Sequence, residues 1–145
     1  MTEPEEDRSS ILPIVLAATI VIFAMGAIWA LKVFRTDKVP DDGLVVRAAI
    51  AQNDALQRES YADFRTYTCA AQQGTESQVL SDQRQSKNTK GNRFVDDMKN
   101  FAITGDQATA TVVYHFEKMP DDKLSQPMTF VRENGTWKVC SPGPR

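Results

Sequence analysis

Cys69 and Cys140 come first, because they are the only two cysteines in 145 residues. An even pair in a chain that leaves the cytoplasm reads as a disulfide. Closing about seventy residues, such a bridge is worth about 4 kcal/mol in the loop-entropy picture. The competing reading is two separate thiols in a reducing compartment. A metal site is not expected, since there is one histidine, His115, and no Cys-x-x-Cys. His115 has the chemistry of a general base. It shares a face with Thr109, Thr111 and Glu117, and no second acid or base is placed beside it by spacing, so a solvated strand residue is expected. Two acidic pairs remain. Asp96 and Asp97 are strand neighbours and point to opposite faces. Asp121 and Asp122 are expected in a hairpin loop and lack the ligand spacing of a calcium loop. A basic stretch, Arg84, Lys87, Lys90 and Arg93, closes a polar helix. It reads either as a solvated face or as a contact for anionic lipid or an acidic partner. Asn134-Gly135-Thr136 fits an N-glycosylation acceptor, and a hairpin turn explains the same residues. No catalytic residue, cofactor or metal ligand is assigned.

The elements that hold these residues fall in two parts. Net charge is −2, which gives no basic field for nucleic acid. Residues 1–10 form an acidic tail. From Ile11 to Leu31 no residue is charged and Thr19 is the only polar side chain. Twenty-one residues at 1.5 Å each span roughly 30 Å, the thickness of a bilayer's hydrocarbon core. A signal peptide would have a basic start, a shorter apolar run and a small-residue cleavage site. The run therefore predicts a transmembrane helix. Gly26 and Ala30, four apart, form a small face able to dock a second membrane helix. Lys32, Arg35 and Lys38 favour a cytoplasmic domain by the positive-inside rule. The cysteine pair favours an extracytoplasmic one, and long domains translocate largely regardless of flanking charge. The expectation is a cytoplasmic N-terminus in the plasma membrane and an extracytoplasmic domain.

Residues 32–42 are a linker, with Pro40 as a stop and Asp41 or Asp42 as N-cap. Helical spacing of Leu44, Ala48, Ala51, Ala55 and Leu56 predicts a helix over 43–58. A second is expected over 60–71 with Tyr61, Phe64, Tyr67 and Thr68 on one side. A third runs from the capping box Thr75-x-x-Gln78 to about Asn88, ended by Gly91. The period then changes to two. Strands are expected over 93–103, 107–117, 126–133 and 136–140, with a polar loop over 119–125 and an Asn134-Gly135 hairpin turn. Residues 142–145 are a tail. Helices followed by an antiparallel meander make an α+β domain over 43–141.

Tyr67-Thr68-Cys69, the run Gly105-Asp-x-Ala-x-Ala-x-Val112 and the closing Asn134-Gly-x-Trp-Lys-Val-Cys140, behind an N-terminal anchor, resemble the membrane-anchored extracytoplasmic nuclear transport factor 2-like proteins of actinobacteria. The resemblance covers about residues 43–141. It implies a cone: helices on a curved sheet around a pocket. That group includes isomerases, ligand carriers and partner-binding domains, so function does not follow from fold. With no catalytic set, the leading expectation is a non-catalytic accessory subunit contacting other integral membrane subunits. The resemblance points to the respiratory cytochrome bcc–cytochrome c oxidase supercomplex. The alternative is a carrier or sensor of a small apolar ligand or lipid. A third reading, an isomerase or dehydratase, would use Asp63, Asp97 or Tyr114.

Overall fold

The computed structural model describes Met25, Gly26 and residues 39–143. The chain divides into two compact units between Lys38 and Val39. The expected membrane helix over 11–31, with Ala30, lies outside the described residues apart from Met25 and Gly26, which are helical and exposed. Among the described residues, no helix is long and apolar enough to cross a membrane.

The second unit opens with α1, Asp41–Gln57. It starts two residues before the expected Gly43, because the helix can begin directly after Pro40, whose carbonyl accepts from Leu44 N at 3.1 Å. α1 buries Val45, Ala48, Ala49, Gln52 and Ala55. α2 is Tyr61–Thr66, with Ser60 as N-cap. It is shorter than the expected 60–71, because Tyr67 and Cys69 bond instead to the backbone of Val139, with Thr68 as an isolated bridge. Cys69 N donates to Val139 O at 2.9 Å and Val139 N donates to Tyr67 O at 2.8 Å. A short 3-10 turn, Ala70–Gln72, follows. α3, Glu76–Lys90, is capped by the Thr75 hydroxyl, which accepts from Gln78 N at 3.4 Å. The reciprocal half of the capping box is not made, since the Gln78 amide turns to Asp82 at 2.9 Å. Gly91 ends α3 at φ 83°, where a Cβ would lie 2.7 Å from Glu117 Cβ. Only glycine meets both demands there.

β1 (Arg93–Thr104), β2 (Gln107–Phe116), β3 (Met119–Glu133) and β4 (Thr136–Val139) form one antiparallel sheet in the order β1-β2-β3-β4. The expected 119–125 loop is a correction: those residues are strand, paired to β2 through Tyr114↔Leu124 and Phe116↔Met119. The turn is Glu117-Lys118 instead. The segment is polar and exposed along its length, so no alternation marked it as strand. Asp121 and Asp122 accordingly sit on a strand. The Asn134-Gly135 turn has positive φ at both residues, 52° and 77°, as a type I′ hairpin requires. Helices α1, α2 and α3 cover one face of the sheet. The core joins Val45, Ala48 and Ala49 of α1 to Ala108, Ala110, Val112, Met128, Phe130, Trp137 and Val139. Val95, Phe101 and Ile103 of β1 pack against it on one face, as their spacing predicts.

Cys69 and Cys140 are joined in a disulfide, with Cα atoms 5.1 Å apart. It follows a single parallel bridge, Thr68↔Val139, on the free edge of β4. Bridge and disulfide together cover a strand edge that would otherwise present unpaired backbone groups.

Candidate functional site

Between α1, α2, α3 and the C-terminal segment 141–143 lies a cavity of about 580 Å³, open on one side. Its size falls in the range of small-molecule sites. Leu56, Phe64 and Val79 supply apolar wall; Gln52, Thr68 and Gln83 supply buried amides and a hydroxyl. Gln52 Nε2 donates to Thr68 Oγ1 at 2.8 Å, and Gln83 Nε2 to Gln57 Oε1 at 3.4 Å. The charged groups on the wall are Asp82, Lys90 and Arg93.

Arg93 is the residue that spacing did not single out. It was grouped with Arg84, Lys87 and Lys90 as one basic stretch, and the structure separates them. Arg84 pairs with Glu59 at 2.7 Å. Lys90 Nζ lies 4.9 Å from the Phe116 ring centroid. Arg93 is only 6% exposed. It opens β1 in phase with Val95, so it points inward; that phase was the available signal. Its Nε donates to Asn53 Oδ1 at 2.8 Å, while Asn53 Nδ2 donates to Arg93 O at 3.2 Å. Burial pushes the guanidinium down to about 10, against a smaller opposing effect of Tyr114. It remains charged at neutral pH.

Asp63, Asp97 and Tyr114 do not converge on this cavity. Asp63 accepts from Arg58 Nη1 at 3.1 Å. Asp97 is exposed and accepts from Met98 N at 2.8 Å. Tyr114 is buried on the inner face of β2, its ring edge-on to Phe116 at 5.8 Å. Asp63 is held below the usual carboxylate range by Ser60 and Arg58, and Asp96 by His115 and then Lys123. That is opposite to the shift a general acid needs.

His115 does have an acidic neighbour, which corrects the expectation drawn from spacing. A register shift between Val95 and Asp97 turns Asp96 onto the outer sheet face. His115 Nδ1 lies 2.8 Å from Asp96 Oδ2, and Lys123 Nζ lies 3.2 Å from Asp96 Oδ1. Phe94 stacks on the imidazole at 5.2 Å. A bulge cannot be read from alternation alone, so the pair was hidden. Among the described residues, no group of three or more His, Cys, Asp or Glu could hold a metal.

A second, shallower groove of about 350 Å³ runs between the start of α1 and β1. Val46, Ile50, Val95, Met98 and Phe101 line it, with Asp42, Asp96 and Asp97 around them. Ile50 is 49% exposed.

No family model matches the chain, and no curated protein matches it. Solved structures do. A protein of unknown function with a cystatin-like fold from Nostoc punctiforme matches at a TM-score of 0.52 and 11% identity, over 70% of this chain and 87% of that one. A proposed nuclear transport factor 2-like transpeptidase from Campylobacter jejuni matches at 0.47 and 16%, over 72% and 100%. A proposed dehydratase of the same group from Streptomyces avermitilis matches at 0.46 and 18%, over 70% and 93%. With three helices on a four-stranded antiparallel sheet, residues 39–143 form an α+β domain with a cystatin-like fold.

Proposed function

We propose that this chain is a membrane-anchored, extracytoplasmic binding protein whose domain carries or senses a small molecule in the cone cavity. One observation carries the reading: the helices stay apart at one end of the domain and leave a cavity of about 580 Å³ walled by both apolar and polar groups. The anchor and the sidedness rest on the uncharged run Ile11–Leu31 and on the cysteine pair. Native mass spectrometry of the full chain, purified from its own membrane, tests it. A small-molecule adduct is expected on the wild type and not on Val79→Trp, which fills the cavity. Loss of no adduct in the variant, or no adduct at all, contradicts the reading.

A second reading has its own observation. The apolar groove of Val46, Ile50 and Phe101, with acidic groups around it, suits a partner segment that is apolar with basic flanks. This supports an accessory subunit of a membrane complex, the respiratory supercomplex included, with Gly26 and Ala30 as the membrane contact. Ile50→Lys then releases a co-purifying partner in mild detergent. Co-purification unchanged by that variant, or no partner, sinks this reading.

A further inference from the structure

Three buried side chains on the cavity wall, Gln52, Thr68 and Gln83, are 4%, 1% and 8% exposed. Gln52 Nε2 donates to Thr68 Oγ1 at 2.8 Å, and Gln83 Nε2 to Gln57 Oε1 at 3.4 Å. Among the described residues, nothing donates to Gln52 Oε1 or Gln83 Oε1, and nothing accepts from the Thr68 hydroxyl. Neither oxygen is sealed in protein, since the one fully enclosed side-chain atom without a hydrogen bond among the described residues is Arg132 Nε. Gln52 Oε1 points toward Gly143, also on the wall, where a Cβ would lie 3.8 Å from it. The charged groups of the wall are engaged elsewhere. Asp82 accepts from Gln78 Nε2 at 2.9 Å, and Arg93 Nε donates to Asn53 Oδ1 at 2.8 Å. The Lys90 ammonium lies over Phe116, which is not part of the wall. What the cavity offers a ligand is therefore two amide oxygens and one hydroxyl, beside an apolar wall of Leu56, Phe64 and Val79.

We propose, resting on the binding reading above, that the cavity takes an uncharged polyhydroxyl ligand of sugar type, its hydroxyls on Gln52, Thr68 and Gln83 and its C–H face on Leu56, Phe64 and Val79. The amide oxygens need donors and the Thr68 hydroxyl needs an acceptor, all from one small molecule. A hydroxyl supplies either, so adjacent hydroxyls on one ring match the mixture. A carboxylate or phosphate dianion only accepts, and leaves both amide oxygens without a bond. An ammonium only donates, and leaves the Thr68 hydroxyl without one. A single secondary amide has one donor where the wall has two acceptors. An apolar ligand displaces water from all three groups and returns no bond. By that penalty a site built for hydroxyls rejects the analogue that lacks them.

The test uses the full chain in nanodiscs of neutral phosphatidylcholine, with the methyl signals of Leu56 and Val79 as reporters. The probes are the methyl glycosides of glucose, galactose and mannose, beside tetrahydropyran-2-methanol, which keeps the ring and lacks the ring hydroxyls. At least one glycoside is expected to bind about tenfold more tightly than the ether, the size of one or two hydrogen bonds. The uronate and 2-amino counterparts of that glycoside, which add one charge of either sign, are expected to bind no more tightly than it does. Gln83→Leu lowers the preference for the glycoside over the ether, and Gln52→Leu/Thr68→Val removes it. Gln83→Leu keeps the test usable if the double variant does not fold. An ether bound as tightly as every glycoside, or a charged ring bound more tightly, overturns the hydroxyl selection and leaves the cavity reading standing. A preference unchanged in both variants overturns the assignment to these three side chains. No methyl shift with any probe overturns both the selection and the cavity reading.

Discussion

The two ends of the helix–sheet interface are built from different side chains. At one end, Ala48 and Ala49 of α1 share one buried core with Ala108 and Ala110 of β2 and with Phe130, Trp137 and Val139. Small residues on both layers let helix and sheet approach closely and close the core. At the other end, α1 continues with Gln52 and Leu56, and the sheet begins with Arg93. Gln52 and Arg93 carry polar atoms that need partners. Gln52 finds its partner in Thr68 and Arg93 in Asn53, Gln83 of α3 bonds to Gln57, and the cavity opens beside these pairs. The same amphipathic layering therefore gives a sealed half and an open half. The sealed half carries stability, and the open half holds the cavity in which we propose that a ligand binds.

The largest effects should come from the sealed half. Phe130→Ala removes a ring that is 1% exposed and leaves a void. The expected loss is up to about 5 kcal/mol in urea unfolding. A loss under about 1 kcal/mol would show that this end is not the tighter one.

The disulfide lies at the boundary between the halves, since Cys140 directly precedes the tail residues that wall the cavity. Replacing Cys69 and Cys140 by Ala should cost about 4 kcal/mol, and a reducing agent should do the same to the wild type. The small-molecule adduct should weaken as well, because Ser141–Gly143 lose their tether. An adduct unaffected by the loss of the bridge would separate the tail from the site.

In the open half the expected changes are smaller. Thr75→Ala deletes the N-cap of α3, the helix that supplies the largest share of the cavity wall. About 1 kcal/mol is expected, read as faster amide exchange in α3 with little change in the core strands. Uniform change across both halves would mean that they do not behave differently.

The acid response is the finest probe. Asp41 sits below the usual carboxylate range because Arg132 and then Trp137 hydrogen-bond to it, at 2.6 and 3.3 Å. A carboxylate lowered in the folded state contributes stability that is present above its unfolded value of about 4. That contribution is lost as pH falls through the lower, folded value. Asp41→Asn should therefore lower the midpoint of unfolding at neutral pH slightly and flatten its decline below pH about 4. An unchanged acid limb would exclude this tie between the start of α1 and the sheet.

Much of this division was legible from residue spacing, and the failures have physical causes. The helical period of Leu44, Ala48 and Ala55 and the alternation of Ala110, Val112, Tyr114 and Phe116 identified the layers, because each buries one regular face. The Asn134-Gly135 turn was legible because its backbone demands those residues. Met119–Ser125 was not, because a strand exposed along its length has no buried phase to alternate. α2 was read too long because Thr68 serves the β4 edge, a contact set by tertiary pairing. The site was the least legible part. Arg93 was masked by neighbouring surface basic residues, although its phase with Val95 marked it as inward. The Asp96–His115 pair depends on a bulge, which shifts register without changing composition.

The central claim is that the open half is kept open for a ligand and not for stability. The double variant Gln52→Leu/Thr68→Val tests this most directly. It removes both partners of one buried hydrogen bond at once, so neither polar group is stranded, and such exchanges are close to neutral. The account predicts a thermal midpoint within about 5 °C of the wild type, roughly 1 kcal/mol, together with loss of the small-molecule adduct in native mass spectrometry. A variant that unfolds far more readily while still carrying the adduct would show that these polar groups serve the fold and not the site.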